Sequence, residues 1–436
     1  MIITPITTSS TKGQELLLRL CDRFQTADSK CMHTVSDIIA EVRSQGDEAL
    51  LKYTRQFDAP DLTVEQMRVS KQELDESHNQ VDTDFIRTLD IAFERIHFFH
   101  EKEKEESWTI TRDDGVVTGR LVHPVESAGL YVPGGQGGTT PLVSSVLMNG
   151  IPALIAGVKR RVMATPPDRH GQVNPAILVA AKKTGITEIY KVGSAWAVAA
   201  LAYGTGTIRP VDVIVGPGNQ YVAEAKRQVS GRVRIDMIAG PSEVLILADE
   251  SANPAFIAAD MLAQAEHDPQ ALAMLVTTSS DIAEQVVKQL ESRLASLSRN
   301  KIAGKALVDR GVILISKDVS ESISIANRIA AEHLELMLNE PDKWMRQIRN
   351  AGAVFLGNHS PEAAGDYIAG PNHVLPTMGT ARFSSALGVE TFVKKTSLIS
   401  YTRQALIKDA EHILKLADME GLTAHAESVS IRVDGK

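Results

Sequence analysis

From about residue 129 onward, short apolar runs alternate with longer stretches whose apolar residues recur at helical spacing. The runs at 162–165, 188–192, 211–215, 244–248, 273–277, 312–316 and 353–356 predict strands. Between them, the segments 175–184, 194–203, 220–229, 254–266, 281–294, 320–331 and 341–350 are each long enough for a crossover helix. This alternation predicts an α/β fold with parallel sheets, because parallel neighbours need a long connection. The strands are too many for one ordinary sheet, so two α/β lobes are expected.

Upstream the pattern is helical. Val35, Ile38, Ile39 and Val42 share one face, followed by Ala49, Leu50 and Leu51. The segment 87–106 carries Phe93, Ile96 and Phe99 as an apolar stripe inside a dense Glu/Lys run, which reads as a solvated face. Near the other end, 408–420 is amphipathic through Ala410, Ile413, Leu414 and Ala417, and a polar tail follows.

Composition narrows the function classes. The 436 residues include 46 Lys+Arg against 54 Asp+Glu, a net charge of −8, which argues against a general nucleic-acid binder. Cys21 and Cys31 form no C-x-x-C and exclude a disulfide scaffold or a cysteine-based zinc site. No apolar run approaches the roughly 18 residues of a membrane span. The opening lacks a basic segment followed by a long apolar core. A cytoplasmic protein without membrane or nucleic-acid partners is expected.

Five groups of residues have chemistry to offer. Gln264 and His267 are placed on one face near the end of the helix that Asn253-Pro254 starts and Asp268-Pro269 ends. An imidazole and an amide oxygen supply two metal ligands if others converge. Glu332-His333, where a helix gives way to a short strand, is a potential acid/base pair. The segment 364–373 reads as a glycine-bounded loop holding Asp366 and His373, beyond the carboxyl end of a strand, where α/β sites form. Glu420 and His425 follow the C-terminal amphipathic helix. Two glycine turns, 133–138 and Gly216-Pro217-Gly218-Asn219, follow strand-like runs and suit a nucleotide phosphate, although neither is G-x-G-x-x-G. No P-loop lysine motif and no H-E-x-x-H occurs.

Taken in order, the segments GLYVPGG (129–135), SSVLMN (144–149), VGPGNQYVAEAKRQVSG (215–231), IDMIAGPSEVLILAD (235–249), AQAEHDP (263–269), AEHLEL (331–336), VFLG (354–357), AAGDYIAGPNHVLPT (363–377) and EGLTAH (420–425) resemble the histidinol dehydrogenases. The resemblance implies a zinc-containing, NAD-dependent enzyme that oxidises L-histidinol to L-histidine through L-histidinaldehyde in two hydride transfers. A related zinc dehydrogenase of another small polar alcohol is the alternative. One zinc per subunit would be held by Gln264, His267, Asp366 and His425. Glu332 and His333 would be catalytic: His333 takes the alcohol proton, and Glu332 activates the water that attacks the aldehyde. Substrate contacts are implied at Ser242, Gln264, His267, Glu332, His333, Asp366, His373, Glu420 and His425. NAD contacts are implied at Tyr131, Trp196 and Asn219.

Departures from the family fall on the presumed NAD side. Gly193-Ser194-Ala195-Trp196-Ala197 stands where many members have G-G-A-Q-A, so Trp196 replaces a glutamine. The loop after 133–135 is longer than usual, and the stretch from Asn219 to Ser242 shorter. The implied fold has two incomplete Rossmann-like lobes with parallel sheets, plus helical N- and C-terminal segments that intertwine two subunits. The corresponding division is 1–27 for dimerisation, 28–130 with 244–386 as the first lobe (zinc and acid/base residues), 131–243 as the second lobe (NAD side), and 387–436 for dimerisation. The partners implied are a small-molecule substrate and a second copy of the chain.

Overall fold

The computed structural model describes residues 2–24, 28–134 and 140–434. Among them, two parallel sheets and one small antiparallel sheet organise the chain. The larger sheet runs, in spatial order, Ile6–Thr7, Val312–Ile315, Leu272–Thr277, Glu243–Ala248, His333–Met337 and Ala353–Leu356. The other runs Glu188–Lys191, Arg160–Thr165, Ser127–Tyr131, Val213–Val215 and Arg234–Ile235. Apart from the short Ile6–Thr7 strand, both follow the order 3-2-1-4-5, the doubly wound dinucleotide pattern without its sixth strand. Helices cover both faces, so Glu243–Ala248 and Leu272–Thr277 are buried along their whole length. That is why 244–248 and 272–276 read as unbroken apolar runs and not as alternations.

The two expected lobes are present, but the chain is shared between them differently. The helices Ser29–Gln45 and Asp47–Phe57 bury Val35, Ile38, Ile39, Val42 and Leu50 against the helices Ser194–Tyr203 and Gln220–Val229 on one face of the five-stranded sheet. The helix Thr83–His100 packs Leu89 and Ile96 with the helix Val143–Ile155 on the other face. Residues 28–130, expected in the first lobe, therefore join the second, and Ser127–Tyr131 is its central strand. The segment 1–27, expected as a dimerisation arm, is built into the first lobe: Ile6 pairs with Leu314, and Leu17 and Leu20 of the helix Thr11–Cys21 enter its core. The C-terminal segment opens with the strand Val393–Ser400, antiparallel to Val117–Pro124, which pairs in turn with Trp108–Thr111. The tail expected to be polar folds as the helix Thr423–Val433 against the helix Arg403–Met419.

Trp196 also departs from expectation. It is buried and stacks with the rings of Tyr53 and Phe57, at centroid separations of 5.6 and 5.5 Å, and its indole N–H donates to Thr54 Oγ1 at 3.2 Å. A side chain stacked on two rings and bonded at its polar atom packs helices together. Its ring and indole N–H are engaged in packing.

Asp58, just beyond Asp47–Phe57, has a buried Oδ2 with no hydrogen-bond partner, and loss of water pushes its carboxyl up to about 6. The folded chain then keeps this proton to higher pH than the unfolded chain does. Stability thus falls as pH rises from about 4 to about 6 and levels off above. Asp58→Asn removes that penalty. Thermal melts should show the variant more stable at pH 7 by on the order of 1 kcal/mol, with the gain gone near pH 4. A gain that does not change with pH would contradict this reading.

Candidate active site

The strands Glu243–Ala248 and His333–Met337 are neighbours, with Val244 opposite His333. At their amino ends, the Glu243 backbone holds both expected acid/base residues. Its N–H donates to Glu332 Oε2 at 2.8 Å, and its carbonyl meets His333 Nδ1 at 3.0 Å. A carbonyl only accepts, so Nδ1 carries the proton and Nε2 keeps its lone pair. Nε2 is buried and has no partner. The Glu243 side chain runs to Arg23, with Nε to Oε1 at 2.6 Å and Nη2 to Oε2 at 2.5 Å, and Arg23 Nη1 donates to the carbonyls of Leu20 and Ile329. Both residues are buried, so removing either one leaves an uncompensated charge at a cost of about 3–5 kcal/mol. On the other side Gly352 closes in: a Cβ there would lie 2.5 Å from the Glu332 carbonyl oxygen.

Burial sets the protonation of this pair. It pushes the Glu332 carboxyl well above the usual carboxylate range and His333 down to about 3, so the imidazole is neutral at pH 7. Carboxylate oxygens of Glu362 and Glu332 stand 3.7 and 3.9 Å from His333 Nδ1 and favour its protonated form once ionised. His373 repeats the arrangement. Its Nδ1 donates to the Asp366 carbonyl at 3.1 Å, and burial lowers it to about 4. Asn372 fixes this segment to the other lobe by donating from Nδ2 to the Met148 carbonyl at 2.7 Å.

The helix Pro254–Ala265 starts where Asn253 caps Ala255 N–H and proline takes the first position. As a crossover helix it returns Gln264 to the amino ends of the strands. It stops at Ala265, so His267 lies in the following turn, its N–H donating to the Gln264 carbonyl at 3.3 Å, and not on a shared helix face. The approach of Asp268-Pro269 explains the early stop. Asp366 belongs to the short helix Glu362–Tyr367, inside the stretch read as a loop. His267, Glu362 and Asp366 each bring a ligand atom within 4.8 Å of the others. Loss of water pushes Asp366 up to about 6 and Glu362 well above its ordinary value, the latter also through Asp366, Glu332 and Glu335. Carboxyls crowded in this way favour a cation.

Glu362 is the residue that sequence reasoning missed. With the Gln264 amide oriented as its neighbours require, Nε2 donates to Glu362 Oε2 at 3.0 Å and Oε1 at 3.1 Å. Its position four before Asp366 puts both on one helix face, a signal that vanished once the segment was read as a loop. Ser242 immediately precedes Glu243 and is half-buried. Glu420 and His425 are exposed on the C-terminal helices, and His425 is not among the clustered ligands. One chain thus assembles Gln264, His267, Glu332, His333, Asp366 and His373, and leaves the last two expected residues outside. Glu332 and His333 also sit at the amino ends of their sheet, not at the carboxyl ends where α/β sites are usual.

The five-stranded sheet carries the glycine turns at its carboxyl ends. Tyr131 is buried, and its hydroxyl accepts from Ser194 N–H at 3.1 Å. Ser194 adopts φ +45°, left-handed backbone that suits the glycine many family members have there. The helix Ser194–Tyr203 begins without a side-chain cap. Gly216 lies at the strand reversal beside Tyr131, where a Cβ would sit 2.1 Å from the Tyr131 carbonyl oxygen. Asn219 is exposed and caps Gln220–Val229 through Tyr221 and Val222 N–H. Of the turn 133–138, positions 135–138 lie outside the described residues.

The sequence profile described as histidinol dehydrogenase matches residues 21–433. A histidinol dehydrogenase of Desulfotalea psychrophila is 63% identical over 433 residues, covering 99% of this chain and 100% of the relative. One from Thermosynechococcus vestitus is 50% identical, covering 98% of this chain and 99% of the relative. The crystal structure of histidinol dehydrogenase from Elizabethkingia anophelis superposes with a TM-score of 0.93 at 38% identity, covering 100% of this chain and 98% of that one. With its two linked lobes and full-length similarity of this order, the chain belongs to the histidinol dehydrogenase family.

Proposed function

We propose that the chain oxidises L-histidinol to L-histidine in two successive steps, with zinc and NAD as cofactors. The observation that carries this reading is the buried Glu332–His333 pair, clamped to the Glu243 backbone beside the His267, Glu362 and Asp366 cluster. An imidazole and carboxylates within one coordination sphere's reach are a donor set that fits zinc. Gln264 Oε1, His267, Asp366 and, from a second copy of the chain, His425 would hold it. On the other lobe, the uncapped start of Ser194–Tyr203 and the tight turn at Gly216 fit a dinucleotide phosphate. When bound, zinc supplies a Lewis-acid anchor for the substrate's nitrogen atoms, and NAD supplies the hydride acceptor.

The chain's own residues handle protons. His333 Nε2, neutral and unpartnered, takes the hydroxyl proton as the carbinol carbon loses hydride. Its Nδ1–H stays on the Glu243 carbonyl, which fixes the ring. Glu332, with its raised pKa, is a stronger base than an ordinary carboxylate once ionised and removes a proton from the water that attacks the aldehyde. As hydroxide adds, His333 returns its proton to the aldehyde oxygen, and the neutral ring then takes the hydroxyl proton of the hydrated aldehyde as the second hydride leaves. His373 Nε2 is free to hydrogen-bond the oxygen on the reacting carbon. Glu332→Gln keeps the side chain's size and its bond to Glu243 N–H but removes the base. Assayed separately with histidinol and with histidinaldehyde, this variant should lose at least tenfold more on the aldehyde step. Equal losses would contradict the assignment.

The C-terminal segment supports a dimer. Trp108, Ile110, Ile399, Leu416, Met419 and Leu422 are exposed along the antiparallel sheet and the final helices. Apolar side chains gathered on one extension fit burial by a second copy. That copy would also bring Glu420 and His425 to the site. Among the described residues, no helix is long and apolar enough to cross a membrane.

A further inference from the structure

The mechanism above gives Glu362 no proton to move, yet the residue is fully enclosed at the junction of the metal-ligand and acid/base groups. Both of its carboxylate oxygens face the Gln264 amide nitrogen, at 3.0 and 3.1 Å. Its backbone N–H donates to Glu335 Oε1 at 3.1 Å, which ties the start of Glu362–Tyr367 to the strand that also carries His333. An amide binds a metal through oxygen alone, and its two ends have nearly the same shape. Unless something holds the nitrogen end, a buried glutamine offers a cation either face.

We propose that Glu362 is a positioning residue that commits Gln264 to ligation through Oε1. By accepting both bonds from Nε2, it leaves the amide oxygen as the only end free to face the cation, and the Glu335 anchor holds Glu362 itself in register with Asp366. The inference rests on the proposed zinc site and adds a residue to it. It also explains why a carboxylate sits against an uncharged ligand: partners of this kind set the orientation and basicity of the ligand they touch.

The test is a double-mutant cycle on zinc affinity, measured by competition with a zinc-binding dye and independent of turnover. Wild type, Glu362→Ala, Gln264→Ala and the double variant are compared. Loss of such a partner typically costs about 10–100-fold in metal affinity. We expect Glu362→Ala to lose about that much in the wild-type background and less than about threefold when Gln264 is already alanine. A loss that persists in the Gln264→Ala background would mean that Glu362 acts on the metal directly, and would overturn the proposal. Unchanged affinity of Glu362→Ala would also overturn it. If that variant does not fold, Glu362→Gln, which keeps the volume and one accepting oxygen, goes through the same cycle, with a smaller loss expected and the same dependence on Gln264. Wild-type protein that binds no zinc would instead contradict the proposed function, a separate result.

Discussion

Replacing His333 by asparagine lowers kcat for histidinol oxidation by about two to four orders of magnitude. The substitution is chosen for what it keeps. An asparagine amide nitrogen can still donate to the Glu243 carbonyl that now accepts from Nδ1, so the start of the strand stays in place. What disappears is Nε2, the buried atom without a partner. The neutral His333 imidazole is ready to accept a proton at pH 7, because burial holds it down to about 3 while Glu332 is pushed up. Both half-reactions release a hydroxyl proton, so both slow together. Zinc affinity should change less than about threefold, since His333 is not among the clustered ligands. Loss of zinc in step with loss of activity would mean that the residue acts through the metal site and not as the base.

His425→Ala should abolish turnover as a homodimer and be rescued by a partner that is itself inactive. His425 is exposed on Thr423–Val433 and stands apart from His267, Glu362 and Asp366 within one chain. If it enters the site of the second copy, chains carrying His425→Ala and chains carrying Glu332→Gln complement each other. In a mixed dimer, one site collects both defects and the other receives none. Random mixing makes half the dimers mixed, so about a quarter of wild-type activity returns, by the symmetry of a two-fold dimer. If His425 instead serves its own chain, every site in the mixture is defective and activity stays at the level of the parent variants. Unfolding and refolding the two variants together, then assaying against each refolded alone, reads the difference directly.

The central strands were legible because both faces are buried: 244–248 is apolar throughout and 273–277 up to its final Thr277, and each falls short of the observed strand by a single residue. The helices Ser194–Tyr203 and Gln220–Val229 match their expected bounds because a glycine turn precedes each. Ser127–Tyr131, the middle of its sheet, showed only as a strand-like run before a glycine turn; a buried strand as short and small-residued as SAGLY has no periodicity to read. The antiparallel strands were missed because their side chains are exposed or half-buried on both faces. Lobe membership was misjudged because long-range packing decides it: nothing local says that Val35 and Leu50 pack beside Trp196. Glu332 and His333 stood out through their motif, and the fold buries them side by side, whereas Glu362 did not, since what marks it is what surrounds it and not its neighbours along the chain. Trp196 shows the converse, a position marked by the resemblance whose ring the fold uses for packing.

The central claim, oxidation of histidinol by two hydride transfers at one site, is tested most directly by stoichiometry. Zinc-loaded protein with excess NAD is given a limiting, known amount of L-histidinol, and the NADH formed is read by absorbance. The account predicts two NADH per L-histidinol, with L-histidine as the product. One NADH with accumulating aldehyde, or none from folded, zinc-loaded dimer, would contradict it.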